Sequence, residues 1–130
     1  MGLPTSESHI AEAEHSGRFA LPLPWKRMLL RSNGFSIEAS CENWEAFPVL
    51  DQSSRKHIAR SANHILRETD SFRDFPAFPS EAVAIAGNGS GDCLVLLAGK
   101  SDVYFWNHET GKLDIADVNY PKSDFEEVDA

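Results

Sequence analysis

The residues of this chain best suited to chemistry lie in one stretch, IAGNGSGDCLVLLAGKSDVYFWNHETGKL, residues 85–113. It opens on Gly87, Gly89 and Gly91, spaced much like a phosphate-binding loop, and ends in Trp106, His108 and Glu109. A dinucleotide site needs its glycines between a strand and a helix, because the helix N-terminus holds the pyrophosphate. Here the residues after Asp92 read as a strand and no Walker lysine is present. The glycines are therefore expected to supply positive φ angles in a turn, with Asp92 accepting hydrogen bonds from exposed turn amides. His108-Glu109 could open an H-E-x-x-H zinc motif, but Lys112 stands where the second histidine belongs and Gly111 marks a turn. His57 and His64 on one helix would sit about 10 Å apart along its axis, too far to share a metal. No G-x-S-x-G elbow occurs, and neither cysteine has a histidine close to it in sequence. A non-enzymatic protein with no cofactor and no metal is expected.

With 130 residues, 42% of them hydrophobic and 25% charged, the chain has the size and composition of one domain, residues 1–130. No apolar run approaches the roughly 20 residues that span a bilayer, so no membrane role is expected. MGLPTSESHIAEAEHSGR has no basic segment followed by an apolar block, which makes the cytoplasm the expected compartment. Cys41 and Cys93 lie outside any C-x-x-C and are expected as small buried residues. The net charge of −8 argues against nucleic acid and for a basic partner. Acid is concentrated late, at Asp114, Asp117, Asp124, Glu126, Glu127 and Asp129, and residues 123–130 read as an acidic tail. A solvated, frayed terminus is the plain explanation of that tail.

Elements that would position these groups follow from periodicity. Residues 1–5 are expected to be disordered, and 6–16 to form a short helix with Ile10 and Ala13 inward, closed by Gly17. LPLPWKRMLLRSNGF predicts a helix over 23–32, with Pro in its first turn and Asn33-Gly34 as its stop. WEAFPVLD reads as a short strand limited by Pro48. SSRKHIARSANHILRET predicts one helix with Ile58, Ala62, Ile65, Leu66 and Thr69 inward. Its other face would carry Lys56, Arg60, His64 and Arg67 as a basic, solvated stripe. After DFPAFPSE, the runs AVAIA, CLVLLA, VYFWN and KLDIADV read as an antiparallel meander. CLVLLA is apolar on both faces and should be central, whereas KLDIA alternates Leu113 and Ile115 with Lys112 and Asp114, as a strand with one wet face does. Trp106 is expected to pack rather than bind. Helices first and a sheet second make an α+β domain.

The order of LPLPWKRMLLRSNG, a middle helix, FPSEAVAIAGNGSGDCLVL and VYFWNHETG resembles the SMI1/KNR4 family of the SUKH superfamily. There an early Leu-Pro and a helix ending in Asn-Gly precede a Gly-Asp turn, a strand and a Trp-Asp-His-Glu-like hairpin. The likeness covers roughly residues 12–127. It implies an antiparallel-rich sheet flanked by helices, no catalytic residues and a protein partner. Many bacterial members are similar to immunity proteins that neutralise toxins, often nucleases, while fungal members act as regulatory hubs. The motif positions carried over are Leu21 or Leu23 with Pro22 or Pro24, Asn33, Gly34, Gly91, Asp92, Trp106, His108 and Glu109. Asn107 departs from the aspartate common in the family, and the tail after Phe125 is short. Resemblance and charge together imply an acidic surface that occludes the basic cleft of a cognate toxin. Its candidate contacts are Asp92, Tyr104, His108, Glu109, Asp114, Asp117, Glu126 and Glu127, with Tyr104 or Tyr120 as an aromatic anchor. A regulatory scaffold unrelated to toxins is the alternative; the partner, the binding face and the oligomeric state stay open.

Overall fold

The computed structural model describes residues 2–121 of the chain. Its elements run α1 (Glu7–Gly17), α2 (Leu23–Arg31), β1 (Ser36–Ala39), β2 (Glu42–Ala46), α3 (Arg55–Arg60), α4 (Ile65–Phe72), β3 (Val83–Gly87), β4 (Cys93–Leu96), β5 (Val103–Trp106) and β6 (Leu113–Ile115). The six strands form one antiparallel sheet in chain order, each beside its predecessor. The fold is α+β, and the expected meander extends two strands further toward the N-terminus.

Cross-strand partners share a face of a pleated sheet. The register puts Ile37, Trp44, Ala46, Ala86, Leu94 and Phe105 on one face, and Cys93, Val95, Tyr104, Trp106 and Leu113 on the other. On the first face Trp44 of β2 meets Phe105 of β5 edge-on, with ring centroids 5.1 Å apart. Three strand spacings, about 14 Å, would separate them in a flat sheet. The sheet is therefore curled around this contact, and the Trp44 indole N–H donates to the Ala39 carbonyl at 2.9 Å. Residues 117–119 complete the curl by returning to β1. Ala39 and Val118 form a bridge, Asn119 N–H donates to Glu38 O, and Ser40 N–H donates to Asp117 O.

On the opposite face, Trp106 packs against Phe72, Phe75 and Phe78 at 5.1–6.1 Å, and its Nε1–H donates to Ala77 O. The segment that reads as a proline-rich break is thus an aromatic cover. Helix α4 is also pinned to β3 where the β3–β4 register shifts between Ala84 and Ala86. The shift leaves a backbone donor to be met, and the Thr69 hydroxyl accepts from Ala84 N–H at 2.9 Å.

Several expectations are corrected. The single helix over 53–69 is two helices, because buried Ser61 turns the chain between them. Its hydroxyl donates to His57 O at 2.8 Å and accepts from Asp51 N–H at 3.0 Å. His64 then caps α4 through Nδ1, accepting from Arg67 N–H. Ile58 and Ala62 consequently lie outside the core, and Lys56, Arg60, His64 and Arg67 do not form one stripe. The strand expected in WEAFPVLD and limited by Pro48 is β2, which starts two residues earlier, at Glu42, and ends at Ala46; β1, not expected, precedes it. Cys41 is exposed, at the β1–β2 turn with φ +67°, while Cys93 is buried. Ile115 is 63% exposed and does not face the core. Gly17 does not close α1 through its own φ; Arg18 takes the left-handed position, and Gly17 leaves room for Phe19 and Leu66.

Residues 2–5, expected to be disordered, are tied down. Asn33 N–H donates to Leu3 O at 2.8 Å, Thr5 N–H donates to Leu30 O, and the Thr5 hydroxyl donates to Asp51 Oδ2 at 2.6 Å. Asn33 itself is a buried clamp: its amide donates to Val49 O at 2.8 Å and accepts from Val49 N–H at 2.9 Å. Asp51 is 2% exposed and accepts from Thr5 and from both the N–H and hydroxyl of Ser53, with His9 Nε2 at 3.4 Å. Burial alone would raise its pKa, but the hydrogen bonds outweigh burial and lower it from 3.8 to about 2. A carboxyl held lower in the folded state stabilises fully above its unfolded value, and that contribution is lost as pH falls through the folded one. Asp51→Asn should cost about 2–3 kcal/mol at neutral pH. Urea unfolding between about pH 4 and 2 should then show a steeper loss of stability in the parent protein than in the variant.

Candidate functional site

Three hairpin turns lie at one end of the curled sheet: 40–41 between β1 and β2, 88–92 between β3 and β4, and 107–112 between β5 and β6. Antiparallel order in an unbroken meander dictates this, because every second turn falls at the same end. Hydrogen bonds join the turns into one surface. Asn88 Nδ2 donates to Glu42 Oε1 at 3.1 Å and to Asp92 Oδ2 at 3.2 Å. Asp92 Oδ1 accepts from His108 N–H at 3.0 Å and from its ring Nδ1 at 2.6 Å. An ionised carboxylate can only accept, so the ring carries its proton on Nδ1. Burial raises the Asp92 pKa, but the two His108 bonds and that of Asn88 outweigh it and hold the carboxyl below its usual range.

Asp92 therefore does cap a turn amide, but one in the next hairpin rather than its own. Its own turn is closed by Asn88 Oδ1, which accepts from Ser90 N–H at 2.9 Å. Asn107 shapes the β5–β6 turn in the same way, its Oδ1 accepting from Glu109 N–H at 2.9 Å and Thr110 N–H at 3.2 Å. Either an aspartate or an asparagine can supply that oxygen. Gly91 has φ +103°, and a Cβ there would meet the His108 ring at 3.0–3.1 Å. The Gly-Asp pair thus has a joint purpose: the glycine admits the imidazole and the aspartate holds it.

Around this network Glu42 and Glu109 are exposed, and Asp117 borders the β1–β2 turn, its N–H donating to Ser40 Oγ at 3.1 Å. Glu38 continues the acidic edge and accepts from Asn119 Nδ2 at 3.0 Å. The structure thus gathers Asp92, His108, Glu109 and Asp117 at the turns. Asp114 lies on β6, paired with Phe105. Tyr104 is half-buried further along β5, opposite Ile115. Tyr120 is half-buried, and burial pushes its hydroxyl up to about 12. Glu126 and Glu127 and the acidic tail over 123–130 lie outside the described residues.

Sequence reading passed over Glu38, Glu42, Glu45 and Asn88. Their signal was a gap in the basic residues, since no lysine or arginine occurs from residue 32 to 54. Nine of the twelve lysines and arginines fall within residues 1–31 and 55–81, the helical segments, against seven carboxylates. Residues 32–54 and 82–121, which hold the strands, carry nine carboxylates against Lys100 and Lys112 alone. The charge is segregated: helices mildly basic, sheet strongly acidic.

A second constellation has the outline of a nucleophilic relay. Ser6 Oγ lies 2.6 Å from His9 Nδ1, and His9 Nε2 lies 3.4 Å from Asp51. Ser6 is the N-cap of α1 and accepts from His9 N–H. Ser54 and His57 repeat the arrangement at α3, with Oγ to Nδ1 at 2.7 Å. The recurrence at two helix starts identifies Ser-x-x-His as a cap. Beside it, a hollow of about 290 Å³ lies between α1, residues 49–53 and the start of α4, lined by His9, Glu12, Gln52, His64 and Leu66. Among the described residues no group of three or more His, Cys, Asp or Glu is placed to hold a metal ion, and no helix is long and apolar enough to cross a membrane.

The fold is a helix-backed curled sheet whose hairpin turns, joined by hydrogen bonds, carry acidic side chains. The chain belongs to the SMI1/KNR4 (SUKH-1) family, whose family model matches residues 4–127. Membership agrees with the α+β fold and places the chain among SUKH-type protein-binding domains. No curated protein matches the chain.

Gly91→Ala should cost about 1–2 kcal/mol, since it meets both a left-handed backbone and the His108 ring. Asp92→Asn keeps an acceptor for His108 N–H and should cost less than Asp92→Leu, which removes it. Chemical denaturation of the three variants, with His108 ring resonances followed by NMR, measures both the ranking and the displacement of the ring.

Proposed function

We propose that this domain is an immunity protein: it neutralises a cognate toxin, basic and of nuclease type, by docking its acidic hairpin end over the toxin's active-site cleft. The observation that carries this reading is the segregation of charge onto the sheet, with Glu42, Asp92 and Glu109 at the hairpin end, where Asn88 bonds the Glu42 and Asp92 carboxylates and Asp92 accepts from His108. The Glu42 and Asp92 carboxylates, already held by hydrogen bonds, lose little conformational freedom on binding, and a concentrated negative field steers a positively charged cleft into register. Family membership supports a protein as the partner. His108 and Asn88 are positioning residues in this scheme, because both hold Asp92, while Glu42 and Glu109 make the approach.

Capture of a basic nuclease on the immobilised domain, with inhibition of its activity by the free domain, tests the reading. Glu42→Gln and Glu109→Gln should each slow association several-fold at low salt and leave the melting temperature unchanged, with the difference fading above the salt concentration that screens surface charge. Release of several unrelated proteins at low salt, with no nuclease inhibited, would support a regulatory scaffold instead.

A further inference from the structure

Among the described residues, one stretch of strand edge has no backbone partner. β1 is paired on one side with β2 and met on the other by residues 117–119, whereas among the described residues β6 pairs with β5 alone. In the β5–β6 ladder Ala116 N–H donates to Val103 O and Asn107 N–H donates to Lys112 O. These are the hydrogen-bonded pairs of an antiparallel ladder, so the intervening pairs, Tyr104 with Ile115 and Trp106 with Leu113, are the non-bonded ones. The N–H and C=O groups of Leu113 and Ile115 consequently point away from the sheet. Among the described residues they meet no further backbone partner. Beside them Ile115 is 63% exposed, with its cross-strand neighbour Tyr104 half-buried, while Asp114 is exposed on the opposite face.

We infer that β6 accepts an extended segment of the basic partner as an added antiparallel strand, with apolar side chains against Ile115 and Leu113 and a lysine or arginine against Asp114. Strand addition supplies affinity through backbone bonds and specificity through alternate side chains, and this edge offers both. Every strand pair in the sheet is antiparallel, which the addition continues. The charge of the edge selects the occupant. Lys112 precedes Leu113 while Asp114 and Asp117 flank Ile115, so the position opposite Asp114 calls for a lysine or arginine. A second copy of this chain, paired antiparallel about the centre of β6, would set Asp114 against Asp114, and like charges directly opposite destabilise a pair. The inference rests on the reading of the domain as a binder of a basic protein and adds to it a backbone-mediated contact beyond the hairpin turns.

The test uses a labelled, end-capped Val-Lys-Val-Ser-Val peptide titrated into the full chain, its first three residues set opposite Ile115, Asp114 and Leu113 and its serine opposite Lys112, with amide shifts read at Leu113 and Ile115. Saturable binding is expected, weakened about tenfold or more in Ile115→Pro, which removes an outward N–H without touching the β5 ladder. The melting temperature of that variant should stay near that of the parent. Methylating the valine amide nitrogens of the peptide should abolish binding, and methylating that of the lysine should not. If Ile115→Pro fails to fold, the two methylated peptides decide, and equal binding by both overturns the inference. It is also overturned if a glutamate-for-lysine peptide binds as well, or if sedimentation shows a dimer that Ile115→Pro dissolves. Peptide binding lost in Glu42→Gln but kept in Ile115→Pro would overturn the edge and leave the acidic-turn reading standing; a nuclease captured and inhibited equally by parent and Ile115→Pro would do the same.

Discussion

The contact between Trp44 and Phe105 governs the architecture. Two aromatic rings on strands three apart can touch only if the sheet bends until its first and last elements approach each other. That bend brings residues 117–119 against β1, and it gives the sheet an inner face filled by indole and phenyl rings. The outer face of the same strands is then free to receive the Phe72, Phe75 and Phe78 cluster, for which Trp106 is the counterpart. Two tryptophans on opposite faces of the sheet thus hold its two packing layers, each with its indole N–H bonded to a backbone carbonyl.

Beside the apolar packing, a few buried polar groups tie the helical segments and loops to one another and to the sheet. Asn33 pairs with both backbone groups of Val49 as another strand would, Thr69 meets the donor exposed by the register shift in β3, and Asp51 gathers Thr5, Ser53 and His9. Each lies where a regular ladder or helix ends and backbone groups would otherwise be buried unpaired, which costs more than a hydrogen bond gains. The Asn-Gly signature after α2 is explained by this: the asparagine is a structural clamp, remote from the hairpin turns.

Much of the sheet was legible because its strands obey period two or are apolar throughout; CLVLLA reads as central, and its first four residues are β4, fully buried. β1 was equally legible in principle, since Phe35, Ile37 and Ala39 alternate with Ser36 and Glu38, but its short length and charged outer face hid it beside a stronger helical signal. The split of the middle helix was not legible. Its apolar spacing runs unbroken from Ile58 to Thr69, and the break is made by tertiary hydrogen bonds from Ser61 to the Asp51 backbone and to His57. Of the candidate site, the Gly-Asp turn and the His-Glu turn were visible as separate motifs. Their union through Asp92 and His108 needs the β4–β5 register, which no local pattern encodes. Glu42 and Glu45 escaped notice because charge was read along the chain, where the C-terminal acids dominate, rather than by layer.

One consequence follows from the two cysteines. Cys93 is wholly buried and its thiol is pushed far up by burial, so it stays protonated and out of reach, whereas Cys41 stands exposed at the β1–β2 turn, next to Glu42. The native protein therefore carries a single addressable thiol, and carries it at the rim of the joined turns. A thiol-directed dye or spin label would attach there without any engineered cysteine, giving a reporter of whatever occupies that end of the sheet.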